Sequence, residues 1–585
     1  MKVLNFKLLY TTAFLISFLG ILVFLADFGF AQTEDSQTIL NEFYFVVLVV
    51  GIVSTFVRFL EDKNQYKNKR KVLIFDSVSV VFTLAVILIH FLEVGTNKNT
   101  SIFYNDLWIK FAIILTFIRE FAELRLNFKR AILNPAQLFI LSFLSIIFLG
   151  ALLLMLPNAT HSGISFINAL FTSTSAVCVT GLVIADTGSY FTLFGQSIIL
   201  VLIQLGGLGI LTFTSYFSYF FKGGSTYENQ ISLSDMNSSQ KLGEVFSTLK
   251  YVLLITFYIE LSSAILIYTS LDDSLFKSQG EQIYFSVFHA ISGFCNAGFS
   301  TLNDSLFETG FRFNYYLQLV IIMTFVLGGL GFPIVVNLLN YLKYKISLLI
   351  NFAKAGQNYR PWVLNLNSRI TLITTMALTG VAFVIFYILE YKNTLVEHSG
   401  FGKIVTALFG AATPRTAGFN TVDMNSLAFP TVMMIFLLMW IGASPASTGG
   451  GIKTSTFAIA TLNILSLAKG KSRIEVFRRE IADISVRRAF AIIALSLIVI
   501  GLGVMLISIF DNEKGLMNIA FECFSAYSTV GLSLGITADL SNISKFVLIV
   551  VMFVGRVSML SIVIAIFKKV KYKNYNYPTE EITIN

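Results

Sequence analysis

The chain has 585 residues, 55% of them apolar, a net charge of +9 and a mean hydropathy of +0.76. Charged residues make up 13%, about half their usual share in soluble proteins, which excludes a water-soluble globule and indicates an integral membrane protein. The basic residues fall in short links rather than in one patch, against a nucleic-acid partner. Three scattered cysteines and four histidines give neither a disulfide framework nor metal-ligand spacing, and the motifs of soluble catalysis are missing, so no enzyme is indicated.

A bilayer needs about 20 apolar residues per helix. In chain order such runs lie near 8–30, 39–60, 72–92, 107–122, 135–156, 192–221, 249–270, 315–341, 370–391, 429–466, 489–510 and 543–567. The first follows Lys2 and Lys7 and ends at small residues, Gly29–Ala31. It exceeds the 7–15 residues of a signal-peptide core and reads as a retained helix. Alternate links hold 31 of the 42 basic residues, while Glu34, Asp35, Asp272 and Asp273 lie on the other side. The positive-inside rule therefore puts both termini in the cytoplasm.

Residues 1–130 form a four-helix membrane bundle. Asp76 opens its third helix, and Arg119 and Arg125 close the fourth among Glu120 and Glu123. Gating charges normally recur through the body of a helix. This end cluster reads as a packing or regulatory bundle, with a voltage or ligand sensor as the alternative.

Four later links carry similar short segments, AVCVTGLV, GFCNAGFS, TPRTAGFN and AYSTVGLS, whose glycines Gly181, Gly298, Gly418 and Gly531 are 117, 120 and 113 residues apart. Such a period marks an internal repeat. The fold expected is an all-α polytopic membrane protein of four tandem helix–pore-loop–helix units around one central pore, after four extra transmembrane helices. The units are 131–222, 245–345, 367–468 and 489–573, with a cytoplasmic tail at 574–585. Short re-entrant helices are expected near 164–176, 281–292, 402–412 and 515–527. Irregular backbone at membrane depth must be buried or line water, and four helix C-termini aimed at one point favour a cation. A ring of carbonyls at the glycines, which tolerate positive φ, would replace the hydration shell of a monovalent cation.

The segments FTSTSAVCVTGL, FHAISGFCNAGFS, GAATPRTAGFNTVD and FECFSAYSTVGL resemble the four pore segments of the Trk/Ktr/HKT superfamily of potassium transporters, most like its bacterial Ktr and Trk translocating subunits. The resemblance covers about residues 131–573. It implies a potassium filter built by Cys178, Val179, Thr180 and Gly181; Cys295, Asn296, Ala297 and Gly298; Arg415, Thr416, Ala417 and Gly418; and Ser528, Thr529, Val530 and Gly531. In the family a serine at the first of these glycines goes with sodium transport, so Gly181 implies potassium. A homodimer with one pore per subunit and a separate cytosolic ring of nucleotide-binding regulatory subunits are also implied. Potassium is the cargo, and no other cofactor is expected. The basic segment 469–488 is the candidate docking surface, or simply a determinant of topology. The membrane is a bacterial inner (cytoplasmic) membrane, and sodium-coupled symport is a second reading of the transport.

Two features read as a gate. Ser444-Pro445-Ala446-Ser447-Thr448-Gly449-Gly450-Gly451 breaks the run 429–466, since Pro removes a donor and glycines weaken a helix. The family has a gating loop at this place. Arg556 lies near the middle of the last run, where a charge must face the interior with a partner; the 444–451 carbonyls are the expected partner. Lys453 either holds that loop or is an end charge. Arg415 would block cations if it faced the axis, so its side chain should turn away from the filter. His289 reads as a satisfied core residue, and the thiols of Cys178 and Cys295 are expected to stay chemically idle.

Overall fold

The computed structural model describes residues 2–61, 70–91, 106–122, 135–208, 245–350 and 363–566. Glu123, Arg125, the basic links around Lys67, Lys222 and Arg360, and the tail 574–585 lie outside the described residues, and so does much of the charge asymmetry between links. Among the described residues the regular elements are helices, apart from one antiparallel hairpin, β1 (Glu475–Val476) and β2 (Arg479–Glu480). Among the described residues five helices are long and apolar enough to cross a membrane, and a bent pair makes a sixth. Large apolar side chains such as Ile388, Leu502 and Val53 face outward along them, an arrangement that hydrocarbon stabilises and water would not. The chain is an all-α polytopic membrane protein.

Four helices come first: α1 (Lys2–Gly29), α2 (Glu34–Glu61), α3 (Arg70–Phe91) and α4 (Asp106–Ala122). They pack around Tyr44, Leu48, Val86, Ile109 and Ile113. Towards one end, Arg58 and Arg119 are buried with Glu120. Glu120 pairs with Arg58, accepts a 2.9 Å bond from the Ser54 hydroxyl and lies 3.7 Å from Arg119 Nε. Arg119 also reaches the Ser79 hydroxyl at 3.3 Å. Near the other end, Lys110 lies 3.0 Å from Asp27, which also accepts from the Tyr44 hydroxyl at 3.1 Å. Removing one member of a buried charge group strands the others. We therefore expect Glu120→Ala to cost about 3–5 kcal/mol of stability, read as a lowered melting temperature of the purified protein in detergent.

The remaining helices repeat one plan four times. The first unit is α5 (Pro135–Leu154), the short α6 (Phe166–Val177) and α7 (Leu193–Gly207). The second is α8 (Val245–Ser270), α9 (Gln279–Cys295), α10 (Tyr315–Leu330) and α11 (Phe332–Ile350). The third is α12 (Leu366–Glu390), α13 (Phe401–Ala412), α14 (Phe429–Trp440) and α15 (Thr454–Ala468), and the fourth α16 (Asp483–Phe510), α17 (Leu516–Ser528), α18 (Asn542–Val557) and α19 (Met559–Ile566). In each unit the outer helix packs on its short pore helix. Every pore helix also packs on the inner helix of the unit before it: α9 on α7, α13 on α10, α17 on α14 and α6 on α18. That last contact closes the circle.

Local chemistry explains the short helices. Ser165 and Ser278 cap α6 and α9 by accepting backbone N–H bonds from Asn168 and Glu281, as N-caps do. Glycines with positive φ, Gly400 and Gly515, start α13 and α17. At 12 to 17 residues and about 1.5 Å per residue, these helices reach only part-way across a bilayer.

Two runs read from sequence as single spans, 315–341 and 543–567, are broken here. The first, in the second unit, bends by 108° between α10 and α11 at Gly331, where φ is 79° and Pro333 follows two residues later. The last breaks at Ser558, φ 71°, a left-handed conformation in a residue other than glycine. Arg556 is therefore in the final turn of α18 rather than at mid-helix. A cation there complements the negative end of the helix.

Candidate functional site

The four glycine segments meet in one ring. A Cβ on Gly181 would strike the Ala297 carbonyl, one on Gly298 would lie 3.1 Å from the Ala417 carbonyl, one on Gly418 would strike the Val530 carbonyl, and one on Gly531 the Thr180 carbonyl. Each unit's glycine thus adjoins the carbonyl preceding the next unit's glycine, and the sequence of contacts returns to its start. All four glycines have positive φ, between 68° and 92°, and so do the residues two before them, Val179, Asn296, Thr416 and Thr529. The same alternation in four places turns the backbone the same way four times.

A hydroxyl behind each segment holds the turn. The Ser175 hydroxyl donates to the Leu182 carbonyl at 2.7 Å and accepts from Gly181 N–H at 3.1 Å. Ser292 donates to Phe299 at 2.7 Å, Thr413 to Phe419 at 2.5 Å, and Ser525 accepts from Gly531 N–H at 3.1 Å. Sequence reading passed over these four residues. Their signal was present: a Ser or Thr lies six positions before each glycine, five in the third unit. Ser292→Ala would leave the Phe299 carbonyl without its partner, a loss of about 1–3 kcal/mol at a buried group. The expected result is a selectivity for potassium over sodium lower by about tenfold, if each 1.4 kcal/mol of filter preference is a factor of ten, measured as the ratio of the two fluxes in liposomes.

Inner-helix glycines let the helices come up beneath this ring. Gly206, Gly328 and Gly555 lie against the carbonyls of Val177, Phe294 and Tyr527, leaving no room for a Cβ. Each carbonyl belongs to the residue four before the ring glycine of its unit. The third unit lacks this contact; Gly442 lies against Gly450 instead, because here the inner helix is interrupted.

That interruption runs from Ile441 to Lys453, and its ends are pinned by a bridge between Ile441 and Ile452 and by Thr454 N–H donating to Ala443 at 3.1 Å. Ser444 N–H donates to the Gly329 carbonyl at 3.0 Å, while the Ser447 hydroxyl donates back to Ser444 at 2.6 Å. Pro445 and Ala446 lie against Gly331, so the loop leans on the bend of the second unit. Thr448 donates from its hydroxyl to Asn296 Oδ1 at 3.1 Å, Gly450 N–H donates to the Thr529 hydroxyl at 2.8 Å, and Gly449 lies against the Thr416 hydroxyl. Gly451 lies 3.3 Å, at its Cβ position, from the Ser528 side chain. The loop therefore touches the residue two before the glycine in units two, three and four.

Arg556 supplies the link to unit one. Its guanidinium donates to the Thr448 carbonyl and, at 2.5 Å, to the Gly206 carbonyl. Lys453 Nζ donates to the Gly449 carbonyl at 2.6 Å. Two cations thus hold the carbonyl edge of one loop.

The other residues singled out from sequence sit behind the ring. Arg415 turns towards α12, with Nη1 3.2 Å from the Thr379 hydroxyl and 3.3 Å from the Thr375 carbonyl. His289 Nδ1–H donates to the Phe285 carbonyl and Nε2 accepts from the Ser300 hydroxyl, both at 2.9 Å. Cys178 and Cys295 are buried free thiols, and Cys295 contacts Gln204 Oε1 at 3.6 Å. Gln204 in turn donates to Glu260 at 3.2 Å. Sequence reading also missed Glu522 in the fourth pore helix, buried and accepting from the hydroxyls of Ser533 and Thr537. Among the described residues no group of three or more His, Cys, Asp or Glu is placed to hold a metal ion.

Fold and site together define a single-chain membrane pore with fourfold internal repetition and a loop beneath its ring. The family model of cation transport proteins of the TrkH type matches residues 99–576, and the chain belongs to that family. The match begins ahead of the four units and takes in α4, whereas the sequence reading drew the boundary at 130. The chain is 35% identical over 451 residues to the Ktr system potassium uptake protein B of Bacillus subtilis (strain 168), covering 77% of this chain and 96% of that protein. It is 34% identical over 460 residues to the potassium/sodium uptake protein NtpJ of Enterococcus hirae, covering 77% of this chain and 97% of that protein. The crystal structure of the potassium transporter TrkH from Vibrio parahaemolyticus superposes with a TM-score of 0.60 at 17% identity, over 85% of this chain and 97% of that one. At that identity it shows a common fold.

Proposed function

We propose that this chain takes up potassium across the cytoplasmic membrane through the ring at Gly181, Gly298, Gly418 and Gly531. The observation that carries the reading is the closed ring of glycines and carbonyls, repeated with one backbone conformation in all four units. Carbonyls at fixed spacing replace the water around a monovalent cation, and the four pore-helix C-termini add negative potential there. No bond is made or broken, potassium is cargo, and no cofactor is required.

Beneath the ring, the loop 444–451 obstructs the path and Arg556 latches it. The guanidinium both ties the loop to α7 and places a positive charge in the way of cations. Lys453 supports the same carbonyl edge. Opening requires the loop to leave Asn296, Thr416 and Thr529.

The chain works as a homodimer with a cytosolic nucleotide-binding ring, in an inner membrane with both termini inside. The hairpin β1–β2 within the basic segment 469–488 offers a projecting surface for that ring, and its exposed Arg473 and Glu480 lie 3.6 Å apart. A regulator that binds there can pull on α15 and, through it, on the loop.

Purified protein in liposomes tests the pore. Potassium flux exceeding sodium flux by at least tenfold under matched gradients supports the filter. Equal fluxes of the two ions would sink it.

A further inference from the structure

A cavity of about 330 Å³ lies between α10, α12 and α13, outside the ring and level with it. Ile322, Val326, Phe383 and Leu408 form its walls, and Met376, 72% exposed, stands at its open side. Arg415 closes the inner end. The guanidinium is held by neutral acceptors, the carbonyl and hydroxyl of Thr375 at 3.3 and 3.4 Å and the Thr379 hydroxyl at 3.2 Å. Its Nε–H is buried with no partner. Among the described residues Arg415 makes no ion pair, whereas Arg58 and Arg119, buried in the bundle of α1–α4, share Glu120.

Thr375 and Thr379 fall about half-way along the 25 residues of α12, so the guanidinium is at mid-membrane depth. A cation there calls for an anion, and the cavity is apolar on every side but that one, the form of a small-molecule site with one orienting group. A phospholipid would have to draw its headgroup half-way through the hydrocarbon to reach Arg415. A long-chain fatty acid carries a compact carboxylate on a single tail, and its neutral acid form enters hydrocarbon readily.

We propose that this cavity binds a single-chain anionic amphiphile, a long-chain fatty acid, with the carboxylate on Arg415 and the tail along Ile322, Val326 and Phe383 towards the bilayer. The site adjoins the gate. Gly329 and Ala443 line its lower part, the Gly329 carbonyl holds Ser444 N–H, and Ala443 accepts from Thr454. An occupant therefore bears on the bend of the second unit and on the root of the 444–451 loop together. It also supplies the counter-charge behind the third filter segment.

The test is saturable binding of radiolabelled oleate to the full chain in phosphatidylcholine nanodiscs. One oleate per chain is expected, with affinity at least tenfold weaker in Arg415→Gln. Gly380→Phe is expected to match that loss, since Gly380 lines the cavity and has nothing within 4 Å of its Cβ position, so a phenyl ring has room to enter the cavity while the Arg415 guanidinium is kept. Methyl oleate, which has the tail but no charge, is expected not to compete. No saturable binding, binding unchanged in Gly380→Phe, competition by methyl oleate, or displacement by phosphatidylglycerol at equal mole fraction would each overturn the proposal. Should Arg415→Gln fail to fold, Gly380→Phe and the methyl ester still decide the matter.

Discussion

Arg556→Ala is expected to raise potassium flux into liposomes by at least tenfold in the absence of any regulatory subunit. The guanidinium makes two bonds, to Thr448 on the loop and to Gly206 on α7, and bonds to a charged group contribute about 1.5–3 kcal/mol each. Losing the pair removes about 3 kcal/mol of bias towards the closed loop, or about two orders of magnitude in the closed-to-open ratio. The bonds of Thr448 to Asn296 and of Gly450 to Thr529 remain, so the loop keeps some hold and the gain stops short of that limit. On the proposed gate, the substitution also takes a fixed positive charge out of the path. Flux unchanged from the wild type, in protein shown to be folded, would remove Arg556 from the gate. Arg556→Lys should fall between, since a lysine keeps the charge but cannot reach the carbonyls of the loop and of α7 together with one planar group.

Gly418→Ser should lower potassium flux about a hundredfold while the protein still folds. The residue has φ +81°, its Cβ would strike the Val530 carbonyl, and it would lie 3.0 Å from the Cα of Gly298. A non-glycine residue held in a left-handed conformation costs about 1–3 kcal/mol, and the added atom must push apart two of the ring's four joints. Gly163→Ser separates the two causes. Gly163 has φ +78° with nothing within 4 Å of its Cβ position, so strain is shared while the ring is untouched, and flux is expected to persist. Paired flux and melting measurements on both variants check this; equal loss of flux in the two would assign the effect to backbone strain.

The sequence made much of this legible because the function rests on backbone repeated at a fixed period. Four glycines some 113 to 120 residues apart located the ring, and the observed pore helices begin and end within three residues of where the pattern put them. Ser-Pro and three glycines in a row marked the loop. The breaks at Gly331 and Ser558 were harder. Gly328, Gly329 and Gly331 fell in a run apolar enough to read as one span, where glycine also serves ordinary close packing. Ser558 is not a helix-breaking residue, so the sequence carries no signal for its positive φ. The supporting hydroxyls escaped notice because serine and threonine are common in membrane helices, and only alignment of the four segments sets them apart. The role of Arg415 was half readable. A cation in a filter segment must turn away from cations, but the cavity that receives it is assembled between its own unit and the second.

The loop beneath the ring has a consequence for how such a pore came to be built. In an assembly of four identical subunits, any element reaching the axis would arrive in four copies and collide with itself. A gate in such a channel has to act at the rim, by all four walls moving together. Fusing the units into one polypeptide lifts that restriction. Three inner helices here keep the glycine that fits under its own pore helix, at Gly206, Gly328 and Gly555, and the third has given it up for a segment that passes beneath its neighbours. In the proposed pore, symmetry is retained where the ion is recognised and abandoned where it is stopped. A single substitution in one quarter of the chain can therefore alter closure without disturbing recognition, a separation that no homotetramer can make.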